Sequence, residues 1–225
     1  MSFRILVVED HNLLREGLRA LLASVDTFEV VAQANGGKQA LLEILSSSPD
    51  LILMDISMPS MDGIEAIIQI KRRKPETKII ALSAYRTEEY VREALKAGVD
   101  GYVLKDISFD ELLVAIRTVA SGKKYLSSDI SQQMVDRYLN GGSASEPGSS
   151  WEKLTSRERS IVKLVVEGKT NRSSAEFLNV SQKTVEKHRA SLMIKLGLKN
   201  ATELVLLALE NGWVDRKHIN TRVRL

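Results

Sequence analysis

The sequence contains no cysteine. That excludes disulfides, thiol catalysis and cysteine-ligated zinc. It has three histidines, His11, His188 and His218, far apart and without metal-ligand spacing. A histidine-built metal centre is therefore not expected. No apolar run approaches the roughly 20 residues that span a bilayer, so no membrane partner is expected. The opening MSFRILVVED sets a strand-like run and two acids where a secretory leader needs an apolar stretch and a cleavage site. No internal repeat is visible. These absences lead us to expect a cytoplasmic protein. The 225 residues allow one large domain or two small ones. With 44% hydrophobic residues there is material for a core.

The charge that is present is unevenly spread. Residues 151–225 carry 15 Lys+Arg against 8 Asp+Glu, a net of +7. Residues 1–150 carry 17 against 21, a net of −4. A small basic C-terminal part fits a polyanion partner, or merely a solvated basic surface. Between the two parts, NGGSASEPGSS (140–150) has the composition of a flexible linker. Before it, Ile130, Met134, Val135 and Leu139 recur at helical spacing, which predicts a connecting helix over 130–139.

The first part alternates in period. RILVV (4–8), FEVVA (28–32), LILM (51–54), KIIAL (78–82) and GYVL (101–104) read as strands. Helical stripes lie between them: Leu14, Leu18, Leu21 and Leu22, then Leu41, Leu42 and Leu45, then Ile64, Ile67 and Ile68, with two more beyond. Strands apolar throughout imply a sheet covered on both faces. The pattern predicts an α/β fold, a five-stranded doubly wound parallel sheet. From Leu154 onward the period is helical, over 156–167, 171–178, 182–196 and 200–211. Ser181 is a good N-cap for the third of these. This predicts an all-α four-helix domain containing a helix-turn-helix.

In an open parallel sheet, ligands bind beyond the carboxyl ends of the strands. The first polar residues there are Glu9 and Asp10, Asp55, Ser83 and Lys105. Three carboxylates in one place repel, and a hard divalent cation resolves that repulsion. Mg²⁺ is the natural choice, since it leaves room for phosphate oxygens. One carboxylate is then free to act as a nucleophile on phosphorus. Lys105 and Ser83 can serve the charge on the transferred group.

The segments VVEDHNLLREGL (7–18), LMDISMPSMDG (53–63), ALSAY (81–85) and AGVDGYVLKD (97–106) resemble the receiver domain of bacterial two-component response regulators, over about residues 3–122. LTSRERSIVKLVVEGKTN (154–171) and VSQKTVEKHRASLMIKLGLKNATEL (180–204) resemble the helix-turn-helix of the NarL/FixJ (LuxR-type) class. The resemblance implies a flavodoxin-like receiver at 1–122, a connecting helix and flexible linker at 123–150, and a DNA-binding domain at 151–225. It implies Asp55 as phosphoacceptor. Glu9, Asp10, Asp55 and the carbonyl of Ser57 would hold Mg²⁺. Lys105 would contact the phosphoryl group, Ser83 would shift to bond it, and Tyr102 would turn inward. The implied partners are a histidine kinase, double-stranded DNA and a second copy of the phosphorylated chain, with RNA polymerase a further candidate. The chain would be a bacterial transcription regulator, not an enzyme beyond its own phosphotransfer and slow dephosphorylation.

Two departures stand out. Asp106 follows Lys105 where many receivers have proline, so a trans bond is expected there. Ser174 takes an aliphatic position and is expected to face the core. In the helix 182–196, Val185, Leu192 and Leu196 form the inward stripe, with His188 a packed residue beside it. Lys183, Glu186, Lys187, Ala190 and Ser191 point outward. Lys187 is the expected base-edge contact; Lys183, Thr184 and Lys195 are expected phosphate contacts. Glu186 can accept from a cytosine amine, and Ser191 joins the DNA-binding set. Two other readings stay open. A phosphorylation-independent scaffold is one. The other is an aspartyl-phosphate phosphatase, which needs a second Asp where Ser57 stands.

Overall fold

The computed structural model describes residues 2–58, 63–86, 88–139, 150, 153–178, 180–211 and 213. The chain divides into two compact units, Met1–Asp136 and Arg137–Leu225. Residues 140–149 of the expected linker 140–150 lie outside the described residues, as do Pro59 and Asp62. Among the described residues, no helix is long and apolar enough to cross a membrane.

The first unit alternates β1 (Phe3–Val8), α1 (Asn12–Ala23), β2 (Phe28–Ala34), α2 (Gly37–Ser47), β3 (Leu51–Asp55), α3 (Gly63–Arg73), β4 (Lys78–Ser83), α4 (Glu88–Ala97), β5 (Gly101–Leu104) and α5 (Phe109–Ala120). β6 (Tyr125–Leu126) and α6 (Ser128–Leu139) follow. All pairings are parallel, in the order β2-β1-β3-β4-β5-β6. The five-stranded expectation is therefore corrected to six. β6 has only two residues, paired with Gly101 and Tyr102. So short a strand has no readable period; only its neighbour defines it.

Ile5, Val7, Leu51, Leu53, Ile80, Leu82 and Val103 face α1 and α5 in one core cluster. The alternate residues Leu6, Val8, Ile52 and Met54 are also buried, against the other layer of helices. Burial on both faces explains why these strands are apolar throughout. The helical stripes are narrower than expected. Leu18, Leu22, Leu41, Ile64 and Ile67 are buried, while Leu14, Leu21, Leu42, Leu45 and Ile68 are exposed. Neighbouring positions differ by about 100° around a helix, so a cluster of leucines overflows the face that the sheet covers.

The second unit contains α7 (Ser156–Val166), α8 (Asn171–Phe177), α9 (Gln182–Leu196) and α10 (Ala201–Glu210). Each begins at a residue whose side chain accepts a backbone N–H: Thr155, Thr170, Ser181 and Asn200. Such caps are worth roughly 0.5–2 kcal/mol each. Ser174 is buried, as its place in α8 led us to expect.

Gly63 fixes the start of α3 against the strand end. A Cβ there would lie 2.3 Å from the carbonyl oxygen of Asp55 and 2.5 Å from Cα of Ile56. Both are backbone atoms and cannot swing away. Gly63→Ala is expected to lower stability by about 1–3 kcal/mol through overpacking, read as the urea midpoint. An unchanged midpoint would mean that the backbone at 55–56 yields freely.

Candidate functional site

The parallel register brings four strand ends to one rim. Asp55 is level with Leu82, and Ser83 with Leu104. Lys105 N donates to the Ser83 carbonyl at 2.8 Å, so β5 carries its lysine to the same height. No described peptide bond is cis, and the bond from Lys105 to Asp106 is trans.

Lys105 Nζ donates to Glu9 Oε2 at 2.8 Å and lies 2.9 Å from Asp55 Oδ2. The second contact is an ion pair without an aligned hydrogen bond, which leaves that oxygen free of a hydrogen-bond partner among the described residues. Asp55 Oδ1 accepts from Ser57 N at 2.8 Å. Glu9 and Asp55 are almost wholly buried. Burial pushes the Asp55 carboxyl up to about 6; the Lys105 ammonium pulls down and the Glu9 charge pushes up. Burial works to lower the Lys105 pKa, but the charges of Asp55 and Glu9 raise it on balance.

The donor set suits a hard cation. Asp10 Oδ1 and Asp55 Oδ2 are buried and have no hydrogen-bond partner among the described residues. Both are anionic oxygens of the kind Mg²⁺ takes. His11, set aside on sequence spacing, reaches this rim. Its Nδ1 lies 3.3 Å from Glu9 Oε1 and 3.3 Å from Asp10 Oδ1, and its ligand atom groups with theirs. Its place directly after Glu9 and Asp10 was the available signal.

Ser83 is buried, and its Oγ accepts from Tyr85 N at 2.9 Å. Tyr102 is buried and donates its hydroxyl to the Tyr85 carbonyl at 2.7 Å. The Tyr85 ring stacks on Tyr90 with centroids 4.5 Å apart. The loop after β4 is thus held at both backbone groups of Tyr85. Arg86, which no motif marked, forms ion pairs with Asp106 after β5 and Asp129 on α6.

In the second unit, Lys183, Glu186 and Lys187 are exposed on the N-terminal half of α9. Gln182 donates to Glu186 across one turn at 2.8 Å. Thr184 is half-buried and its Oγ1 lies 2.8 Å from Ser181 Oγ, within the helix cap. One orientation differs from expectation. Ser191 is half-buried and donates to Glu158 Oε1 at 2.7 Å, so it turns inward. Lys195 Nζ donates to Glu158 Oε2 at 2.6 Å. A buried carboxylate on α7 attracts both. Leu196 is half-buried, leaving Val185 and Leu192 as the buried pair.

Comparison with known proteins gives two family matches: "Response regulator receiver domain" over residues 5–117, and "Bacterial regulatory proteins, luxR family" over 152–208. The chain is 34% identical to the transcriptional regulatory protein DegU of Brevibacillus brevis, covering 95% of each. It is 38% identical to the transcriptional regulatory protein MctR of Rhizobium johnstonii, covering 96% of this chain and 97% of that one. Among solved structures, the RcsB response regulator of Salmonella typhimurium, described for its DNA interaction, is similar with a TM-score of 0.66 and 25% identity. That likeness covers 94% of this chain and 98% of RcsB.

The Asp55 pKa has a consequence for stability. A carboxyl whose folded pKa lies above its unfolded value binds more protons when folded. Stability therefore falls as pH rises from about 4 to about 6 through this group. Without divalent cations, Asp55→Asn is expected to melt higher than the wild type above about pH 6, with the gap closing toward about pH 4. Thermal melts across this range check it; an equal or lower melting point for the variant above pH 6 would rule out strain from the buried charge.

Proposed function

The chain belongs to the response regulators that join a receiver domain to a LuxR-type DNA-binding domain, and on that premise we propose that Asp55 is its phosphoacceptor, charged by a histidine kinase. It is a DNA-binding transcription regulator, and the phosphoryl group is its switch. The observation that carries this reading is Asp55 itself: a buried carboxylate at a strand end, 2.9 Å from a lysine ammonium.

An oxygen of Asp55 attacks phosphorus as the bond from phosphorus to the kinase's histidine nitrogen breaks, and the nitrogen keeps the electron pair. Lys105 stands ready to offset charge on the phosphoryl oxygens. Glu9, Asp10, Asp55 and the Ser57 carbonyl would hold Mg²⁺, which when bound offsets the negative charge that gathers at the rim. Ser83 then gives up its bond to Tyr85 N and donates to the phosphoryl group, while Tyr102 keeps the inward place it already has.

The change has a route onward within the first unit. Arg86 joins the loop after β4 to Asp129 near the start of α6. Ser127, just before α6, donates its N–H to the Tyr102 carbonyl at 3.0 Å and accepts from Leu104 N at 3.1 Å. A shift at Ser83 to Arg86 therefore bears on α6, the helix that leads to the DNA-binding unit. That bias favours a dimer whose two helix-turn-helix units read two half-sites. Lys187 reaches for base edges, Lys183 and Thr184 for phosphates, with Glu186 beside them.

Incubation with acetyl phosphate and Mg²⁺ tests the first step. Stable incorporation that Asp55→Asn or EDTA abolishes is expected. No incorporation would favour a phosphorylation-independent regulator, and rapid turnover of many phosphomonoesters a phosphatase. The onward route has its own test. Arg86→Ala should accept phosphate normally, yet lose about fivefold or more of the gain in DNA affinity that phosphorylation brings. A full gain in that variant would show that Arg86 carries no coupling.

A further inference from the structure

Glu158 makes bonds that its own helix does not need. With Thr155 it closes a capping box at the start of α7. Thr155 N donates to its Oε2 at 2.7 Å, and Glu158 N donates back to Thr155 Oγ1 at 3.3 Å. A capping box requires nothing more. Yet Glu158 is only 2% exposed, and its carboxylate reaches another helix. Ser191 Oγ donates to Oε1 at 2.7 Å and Lys195 Nζ to Oε2 at 2.6 Å. Ser191 and Lys195 are four residues apart, so both lie on one face of α9. Burying a carboxylate is costly unless it is paired and hydrogen-bonded. Here burial works to raise the Glu158 pKa, but the Lys195 ammonium and the hydrogen bonds from Thr155 and Ser191 hold it down at about 2.

α9 has need of such ties. Of its 15 residues only Val185 and Leu192 are buried. Apolar burial is non-directional, so two buried side chains, with Met193 and Leu196 half-buried beside them, set the roll of the helix less sharply than directed hydrogen bonds do. Rolling would redirect Lys183, Glu186 and Lys187 together. Hydrogen bonds to a fixed carboxylate resist it. A third tie comes from α8, where Arg189 Nη1 donates to Asn171 Oδ1 at 2.8 Å.

We propose that Glu158 is the positioning residue of the DNA-reading helix, and that Lys195 serves Glu158 instead of a DNA phosphate. This rests on the DNA-reading role of α9 given above. Two lysines of one helix then have different roles. Lys187 faces outward and reads, while Lys195 anchors.

The test uses the full-length chain treated with acetyl phosphate, and two duplexes. One is enriched by the wild-type chain from a random pool; the other is of random sequence. Affinity is measured over a range of NaCl concentrations for wild type, Lys195→Gln, Lys195→Arg and Glu158→Gln. Lys195→Gln should lose roughly tenfold on the enriched duplex and change by less than about twofold on the random one. Its slope of log affinity against log salt should stay that of the wild type. Lys195→Arg should restore the affinity, and Glu158→Gln should match Lys195→Gln. If Glu158→Gln does not fold, the two Lys195 variants decide alone. A slope reduced by about 0.9 per bound subunit, with both duplexes weakened alike, would make Lys195 a phosphate contact and overturn the proposal. Unchanged affinity for the enriched duplex would overturn it too. A wild-type chain that enriches no duplex would overturn the DNA-reading role of α9, and the positioning role with it.

Discussion

The ammonium of Lys105 between Glu9 and Asp55 is the interaction on which the receiver site depends. Two buried carboxylates cannot share a strand-end rim without a compensating charge. The compensation is incomplete, and the raised Asp55 pKa records the shortfall. A rim left short of positive charge is prepared for a cation. With that cation in place it is also prepared for a group that arrives with charge of its own. Everything around it follows from bringing Glu9, Asp55, Ser83 and Lys105 to one height, which the parallel register does. Gly63 adds a spatial condition, since α3 can begin against the Asp55 backbone only where there is no Cβ.

The second unit uses the same device for another end. Glu158, like Asp55, is a buried carboxylate met by a lysine from a different element. The outcomes are opposite. Asp55 is met by one ammonium and one backbone N–H among the described residues, and burial raises its pKa; Glu158 gathers donors from Thr155, Ser191 and Lys195 and its pKa falls. An under-satisfied acid is fitted to react or to bind a cation. A fully satisfied one is fitted to hold two helices in a fixed relation. Between rim and α6, Arg86 makes a pairing of another kind, one guanidinium shared by two exposed carboxylates, Asp106 and Asp129.

The strand-end residues are legible in the sequence because each is the first polar residue after an apolar run. The doubly wound sheet is legible for the same reason, since strands buried on both faces leave no polar alternation. The helix-turn-helix is legible through its caps, Thr155, Thr170, Ser181 and Asn200, which are local chemistry. β6 is not legible: two residues carry no period, and it exists because Gly101 and Tyr102 offer an edge. Nor is the width of the helical stripes, because Leu42 and Leu45 look as apolar as Leu41 until the sheet's reach is known.

What the sequence determined by itself was the order of the elements other than β6, the parallel sheet, and the identity of the polar groups at its carboxyl edge. These depend on periodicity and on short-range capping, which act over a few residues. Tertiary structure alone decided the partners of the charged side chains. Lys105 meets Glu9 across 96 residues, Arg86 meets Asp129 across 43, and Lys195 meets Glu158 across 37. A charge in a sequence does not declare whether it will face water, a phosphate or a carboxylate. Only the packing of the elements that carry it settles how far it is removed from solvent, and so how strongly it must be paired.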